Sequence, residues 1–539
     1  MKLSSKGGRI ASRPSKLTEE LPLIAQIPFE DLTSAPESVK ITPISCKNCE
    51  GVLLDIKRVK DDEKLGLYFA CAYCGTINKL GSLPDNYPSG KDIEYIIEEA
   101  GEKETEIASK KGITGDHITA IIDISGSMSG AKLAAVKHSL VQSIKDMRES
   151  SKGSSFLLIT FESNVGIYLS PQEKAIYLED TGGLLNSEDK IEEFIKKKIK
   201  DLNLGAIEKT ANAWINQVQG LRSLDMTALG PALVSGVDIY LLRKLEGRIL
   251  LLTDGLANIG LGRLEGGGGK ESKKFYEKIA KVCLDNNIIV DVVGVGGGNE
   301  LALDVLGQLS DKTGGEIFFV SADELESTFG ELDSRHFIGK DVSMRVFTPK
   351  ALEINEVSGI SASTTKAKRF EEIKVGSVTR DREAFIQFDL KEEIKEEDVP
   401  VQVQVEFKDE KGNKKLRVFE TRLKPEEEEE EYKKEYDARP LSVMKIQQAG
   451  NAYSKGDVAK AKAVLQQTKG WFEAQNLMAA APEEACESIG YLDDELEQLD
   501  EFEEEKAGMA AKSYSAMKGQ KRFRMSLEKK KEEMKKRGK

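Results

Sequence analysis

Residues 118–130 read I-T-A-I-I-D-I-S-G-S-M-S-G, and few folds accommodate such a stretch. A β-branched apolar run, 118–122, stops at Asp123; Ser125 and Ser127 follow around Gly126, and an amphipathic helical pattern begins near Lys132. The pattern predicts a strand feeding a loop at its carboxyl end and then a helix. In open α/β sheets such loops line the crevice where ligands bind. This loop offers one carboxylate and two hydroxyls, hard oxygen donors suited to Mg²⁺ or Mn²⁺ and poor for soft metals.

Two later segments belong with it. Thr227 stands in D-M-T-A-L-G-P-A-L, a loop leading into a helix, and Asp254 follows the buried strand 248–253 in R-I-L-L-L-T-D-G. The order D-x-S-x-S, then T-x-L-G-x-A-L, then an apolar strand ending in T-D-G resembles the von Willebrand factor A domain (VWFA). The five matching side chains of that family form a metal-ion-dependent adhesion site (MIDAS). The resemblance implies that Ser125, Ser127 and Thr227 bind Mg²⁺ directly and that Asp123 and Asp254 act directly or through water. Two carboxylates would nearly neutralise the ion and leave an exchangeable water that a partner's Asp or Glu could displace. The plainer alternative is that these residues only cap the helices that follow them.

The chain has 539 residues, 32% of them charged, and a net charge of −13. The length predicts three or four domains, and the charge disfavours nonspecific nucleic-acid binding by the whole chain; no sequence-specific nucleic-acid binding is predicted. Residues 1–16 carry Lys2, Lys6, Arg9, Arg13 and Lys16 without an apolar core. We read 1–40 as a disordered basic amino terminus rather than a secretory signal, and no apolar run is long enough for a transmembrane segment. The expected location is the cytoplasm.

Four of the six cysteines fall as Cys46-Lys-Asn-Cys49 and Cys71-Ala-Tyr-Cys74, a spacing that can close a tetrahedral thiolate site on structural Zn²⁺, as in a zinc ribbon. Two disulfides or redox C-x-x-C pairs are the alternatives, less suited to a chain without a secretory signal. Cys283 and Cys486 lie in helical patterns and read as buried small hydrophobes. The run C-K-N-C-E-G-V-L, then Y-F-A-C-A-Y-C-G-T-I-N, then a segment through Tyr87 to I-E-Y-I-I, is similar to the zinc finger and exit strand of the COPII inner-coat subunits. Those subunits place this finger just before an A-domain-like trunk, so the likeness implies vesicle-mediated transport.

The expected architecture is therefore multidomain α/β. A zinc ribbon and exit strand occupy 41–100. A doubly wound, mostly parallel-sheet A domain fills 115–334, with strands at 118–123, 156–161, 166–169, 248–253, 288–295 and 317–320. An antiparallel β-sandwich follows at 335–424, with strands at 342–347, 352–357, 384–390, 399–407 and 415–423. The remainder, 425–539, combines the acidic run 426–431, read as a linker or a solvated helix start, with helices and a basic tail. Residues 171–225 are extra to the A-domain pattern and read as a solvated helical hairpin near the metal face. The tail packs ten Lys or Arg into its last nineteen residues, which leaves peripheral membrane contact open.

Catalytic motifs fail on inspection. Gly266–Gly269 with Lys270 lacks the first glycine and the Ser or Thr of a phosphate loop, and Met128 stands where a nucleophile elbow needs its serine. His117, His138 and His336 are isolated, and none is assigned a general-base role. The functional expectation is a non-enzymatic protein-interaction scaffold that binds an acidic residue of a protein partner through a Mg²⁺-dependent adhesion site. The alternatives are a COPII-like vesicle-coat component and a ubiquitin ligase-like adaptor; a metal-assisted hydrolase lacks a base beside its ligands.

Overall fold

The structure is a computed structural model that describes residues 1–504 except 35–37, 98–116, 225, 256, 265–268, 297–302, 322–323, 326–327, 330–336, 360–367, 381, 410–411 and 454–456. The basic tail and His336 lie outside the described residues.

Five apolar runs form the parallel core of a seven-stranded sheet. In spatial order the strands are Ile176–Leu178, Val165–Tyr168, Ser155–Phe161, His117–Asp123, Gly247–Thr253, Ile288–Val295 and Ile317–Val320. The last five run parallel, and the first two pair antiparallel at one edge. Strands buried on both faces need continuous apolar sequence, and alternate residues enter two separate cores. Ile121, Leu157, Ile159 and Leu251 pack with helices Leu229–Arg243 and Lys270–Asp285, while Ala120, Ile122, Leu158 and Leu252 pack with Ala131–Ser150 and Ile207–Gly220. The sheet is doubly wound. The central strand His117–Asp123 comes first in the chain, and its successors are added on opposite sides, so the strand order reverses beside the ends of His117–Asp123 and Gly247–Thr253.

The segment 171–225 departs from a solvated hairpin. Ile207, Ala211, Trp214 and Val218 recur at helical spacing along Ile207–Gly220 and are all buried, and Trp214 meets Phe156 edge-on with ring centroids 5.5 Å apart. This helix covers one face of the sheet, because an amphipathic helix beside bare apolar strands is stabilised by burying its stripe. Trp214→Ala should destabilise the α/β domain by about 3–5 kcal/mol, read as a lowered urea midpoint of its transition.

At the amino end of the sheet His117 is fully enclosed, with Nδ1 2.6 Å from Ser155 Oγ and Nε2 3.1 Å from Thr119 Oγ1. Burial lowers its pKa from 6.5 to about 3. Because the folded value lies below the unfolded one, the neutral ring's contribution is complete above pH 6.5 and is lost as pH falls toward 3, by up to about 1.4 kcal/mol per pH unit. Urea midpoints at pH 7, 5 and 4 should therefore show the wild-type advantage over His117→Gln shrinking with acid.

The sandwich draws on both ends of the chain. One sheet runs Lys2–Leu3, Leu23–Pro28, Glu383–Leu390, Leu352–Ser358; the other contains Glu372–Thr379, Phe337–Phe347, Val399–Lys408, Lys414–Glu426, Asp92–Ile96 and Ser38–Val39, with Arg9–Ala11 beside Lys414–Glu426. The expectation of a disordered amino terminus is thus corrected: L-I-A-Q-I-P at 23–28 pairs with Glu383–Leu390 and is buried at five of six positions. Its apolar residues outweigh the scattered lysines and arginines. The acidic run is also built in. Glu426 ends a strand and Glu429–Glu435 is a helix whose start is exposed to solvent, as one of the two readings of the run expects; Arg9 reaches Glu426 at 2.7 Å and Glu435 at 3.3 Å, which ties the two ends of the run to the amino terminus. Helices Arg439–Tyr453, Val458–Ala474 and Pro482–Glu504 form a final layer whose core includes Leu17, Leu21, Ile24 and Phe385.

The α/β domain rests on the sandwich through the amino ends of its strands. Lys374 bonds Asp285 at 3.3 Å, Asn287 bonds Asp341, and the Arg248 guanidinium lies over Phe337. The carboxyl ends of the central strands His117–Asp123 and Gly247–Thr253 lie six residues further along, about 20 Å away.

Candidate functional site

Asp123 closes the central strand and Asp254 follows its neighbour, so both arrive at the crevice where the strand order reverses. Asp123 is wholly buried. Its Oδ1 accepts from the Ser125 backbone N–H at 2.8 Å and its Oδ2 from Thr253 Oγ1 at 2.6 Å. Ser125 Oγ lies 3.1 Å from Ser127 Oγ, and Ser127 Oγ donates to Asp254 Oδ1 at 2.7 Å. The structure therefore brings Asp123, Ser125, Ser127 and Asp254 into one hydrogen-bonded network.

Thr227 is delivered by a separate loop that is tied to both partners. The Leu224 N–H donates to Ile124 O at 2.7 Å, and the Thr227 N–H donates to Asn258 Oδ1 at 3.0 Å, just past Asp254. The helix after Thr227 can sit this close only because residue 230 is glycine: a Cβ there would meet Leu261 O at 1.9 Å. Thr227 itself is buried, whereas Ser127, Leu224 and Met226 are exposed around the opening.

The donor set consists of oxygens alone. Adjacent ligands of an octahedral Mg²⁺ bonded at 2.0–2.1 Å lie about 2.9 Å apart, and the 2.7 and 3.1 Å separations bracket that spacing. Burial pushes Asp123 up to about 6, with the charge of Asp254 adding to the push and hydrogen bonds from Ser125 and Thr253 opposing it. A cation between the two carboxylates would relieve that strain. Sequence reasoning missed Lys132, Thr253 and Asn258. Thr253 and Asn258 flank Asp254 in the chain, and Lys132 stands in the first turn of the helix after the loop, so adjacency to the motif was the available signal.

The second cluster holds Cys46, Cys49, Cys71 and Cys74, whose Sγ atoms all lie within 4.8 Å of one another. The Cys49–Cys71 and Cys46–Cys74 pairs stand at 3.5 and 3.6 Å, and all four cysteines are free. Disulfides would need about 2.0 Å. Four thiolates bonded tetrahedrally at about 2.3 Å to Zn²⁺ stand about 3.8 Å apart, so the cluster is of the kind that holds structural Zn²⁺. The hydrogen bond from its neighbour Cys49 holds the Cys71 thiol below the ordinary thiol range, and Asn78 Nδ2 approaches Cys46 Sγ at 3.4 Å. Of the other two cysteines, Cys283 is buried as expected, but Cys486 is exposed on the outer face of its helix.

The ribbon is fused to the sandwich. The Gln402 amide completes two hydrogen bonds with the Val52 backbone, each 2.9 Å, and Tyr73 OH donates to Glu420 Oε2 at 2.5 Å. Arg369 donates to Tyr73 O at 2.6 Å.

No family model matches the chain. Among curated proteins, Circularly permutated Ras protein 1 of Dictyostelium discoideum is 24% identical over 388 residues, 65% of this chain and 45% of the relative. The chain thus spans less than half the length of that relative. Among solved structures, the human COPII-coat protein Sec24c matches with a TM-score of 0.68 at 15% identity, covering 96% of this chain and 73% of that one. The ArnB paralog VWA2 of Sulfolobus acidocaldarius matches with a TM-score of 0.42 at 15% identity, over 75% and 88%. The likeness to Sec24c is one of fold: ribbon, α/β domain, sandwich and helical layer share one arrangement across nearly the whole chain.

Proposed function

We propose that this chain is a non-enzymatic protein-interaction scaffold with a coat-like architecture. In this reading its recognition face is a Mg²⁺ site held by Asp123, Ser125, Ser127, Thr227 and Asp254, and its ribbon is held by structural Zn²⁺. One observation carries the reading: the hard donors gather at the end of the sheet that faces away from the sandwich. A cation there has a solvent-facing side on which a protein partner can place the carboxylate of an Asp or Glu. The test is a pull-down in Mg²⁺ with the full chain and its Asp254→Ala variant as baits, which leaves the ribbon's zinc in place, with partners expected to be retained only by the wild type; equal retention would overturn it.

A second reading is favoured by the match to Sec24c over nearly the whole chain: a COPII-like coat component working in the cytoplasm and peripheral on membranes. Recruitment of the chain to liposomes by a small GTPase, measured by flotation, separates this from a scaffold that stays in solution. The name of the Dictyostelium relative refers to Ras, but residues 264–271 here lack the first glycine and the Ser or Thr of a phosphate loop. Nucleotide binding is accordingly not part of the proposal. No helix among the described residues is long and apolar enough to cross a membrane.

A further inference from the structure

Helix Ala131–Ser150 starts directly after the Asp123 loop, and its second residue turns back into the site. Lys132 Nζ donates to Asp254 Oδ2 at 2.6 Å, while the other oxygen of that carboxylate is taken by Ser127. The Asp254 carboxylate is fully shielded and the Lys132 side chain is 35% exposed. The lysine stem has a reserved path: it crosses Gly296, where the backbone has φ +98° and a Cβ would stand 2.8 Å from Lys132 Cε. Backbone at the end of one strand and a carboxylate at the end of the next thus fix a third charge beside the donor oxygens.

We propose that Lys132 makes the divalent ion reverse the charge of this face instead of merely cancelling it. The inference rests on the reading of the loops as a divalent-cation site. With both carboxylates ionised and Lys132 protonated, the cluster carries one net negative charge without the ion and one net positive charge with it. Without the lysine it would carry two negative charges and then none. In a partly buried setting a unit charge acts strongly over a few ångströms, and a face of one sign favours ligands of the other. Lys132 therefore weakens the hold on the metal and strengthens the hold on an anion. The ion-free face repels a carboxylate, and the loaded face attracts one. The partner this fits presents an ionised Asp or Glu side chain, and an amide of the same shape would not replace it.

A purely structural lysine, holding Asp254 in place, would act in the opposite direction on the metal: its loss would loosen a ligand and weaken binding. The full chain, its Lys132→Met variant and its Lys132→Arg variant are titrated with Mn²⁺ by calorimetry. Acetate is then added to the Mn²⁺-loaded proteins, and its displacement of metal-bound water is followed through water proton relaxation. Lys132→Met should bind Mn²⁺ about tenfold tighter and need about tenfold more acetate, while Lys132→Arg should stay within about twofold of wild type in both. Unchanged or weaker Mn²⁺ binding by Lys132→Met, or unchanged acetate displacement, would overturn the lysine's role alone. Absence of Mn²⁺ uptake by the wild type would overturn the metal-site reading and this inference with it.

Discussion

Replacing Cys71 by Ser is expected to empty the ribbon of zinc and to loosen the sandwich beneath it. The ribbon's own core is small, chiefly Leu53, Phe69 and Tyr73 around the four thiols, with Phe347 contributed by the sandwich. Such a module depends on its metal, whose apparent binding free energy in small zinc domains is about 10–16 kcal/mol. The effect should spread, because Gln402 and Glu420 are buried and answer Val52 and Tyr73 of the ribbon. Buried polar groups left without partners cost about 1–3 kcal/mol each. Elemental analysis should find zinc falling from one per chain to none, limited proteolysis should cut within 45–80, and the sandwich should melt earlier. Cys486→Ser, on the outer face of its helix, should change none of these. Full zinc content in Cys71→Ser would contradict the four-thiolate site.

Asp254→Ala should abolish divalent-cation uptake, with affinity lowered by about 100-fold or more given the loss of one of two charged ligands, and should leave the melting temperature nearly unchanged. Asp254 is the cleaner probe of the two carboxylates. Its partners, Ser127 and Lys132, are exposed or half-exposed and can turn to water, whereas Asp123 is buried and accepts from Ser125 and Thr253. Asp123→Ala removes two buried hydrogen bonds and should also destabilise the domain by about 2–4 kcal/mol. Calorimetry with Mn²⁺ together with thermal melts of both variants separates loss of the ion from loss of the fold. Wild-type affinity in Asp254→Ala would remove Asp254 from the site.

The parallel sheet was legible because its signal is local. Continuous apolar runs set the strands at 248–253, 288–295 and 317–320 to within a residue of the observed ends. Strand Glu372–Thr379 was missed: Gly376 sits at φ +81° and the pairing with Phe337–Phe347 is broken by irregularities, which blurs the two-residue period. The amino terminus was misread for another reason. Arg9–Ala11 and Leu23–Pro28 are strands whose partners lie far along the chain, and no local pattern announces a partner at that distance. At the oxygen cluster Asp123, Ser125, Ser127 and Asp254 are legible as neighbours from the motif, but the lysine beside them is not. A lysine in the first turn of a helix is commonplace, and only the backbone turn at Gly296 shows that its path leads inward.

The strand Leu23–Pro28 has a temporal consequence. Its longer neighbour in the sheet, Glu383–Leu390, is reached late, with Gln26 bonded to Glu383 across 357 positions of chain. At about 5–20 residues per second of synthesis, roughly 20–70 s pass before the two can meet. Meanwhile the α/β unit, whose sheet and covering helices come from one uninterrupted stretch, can close by itself. The nascent chain thus carries this apolar strand with only the short Lys2–Leu3 strand beside it while its middle is already compact, so a ribosome-side holdase would have residues 23–28 to shelter.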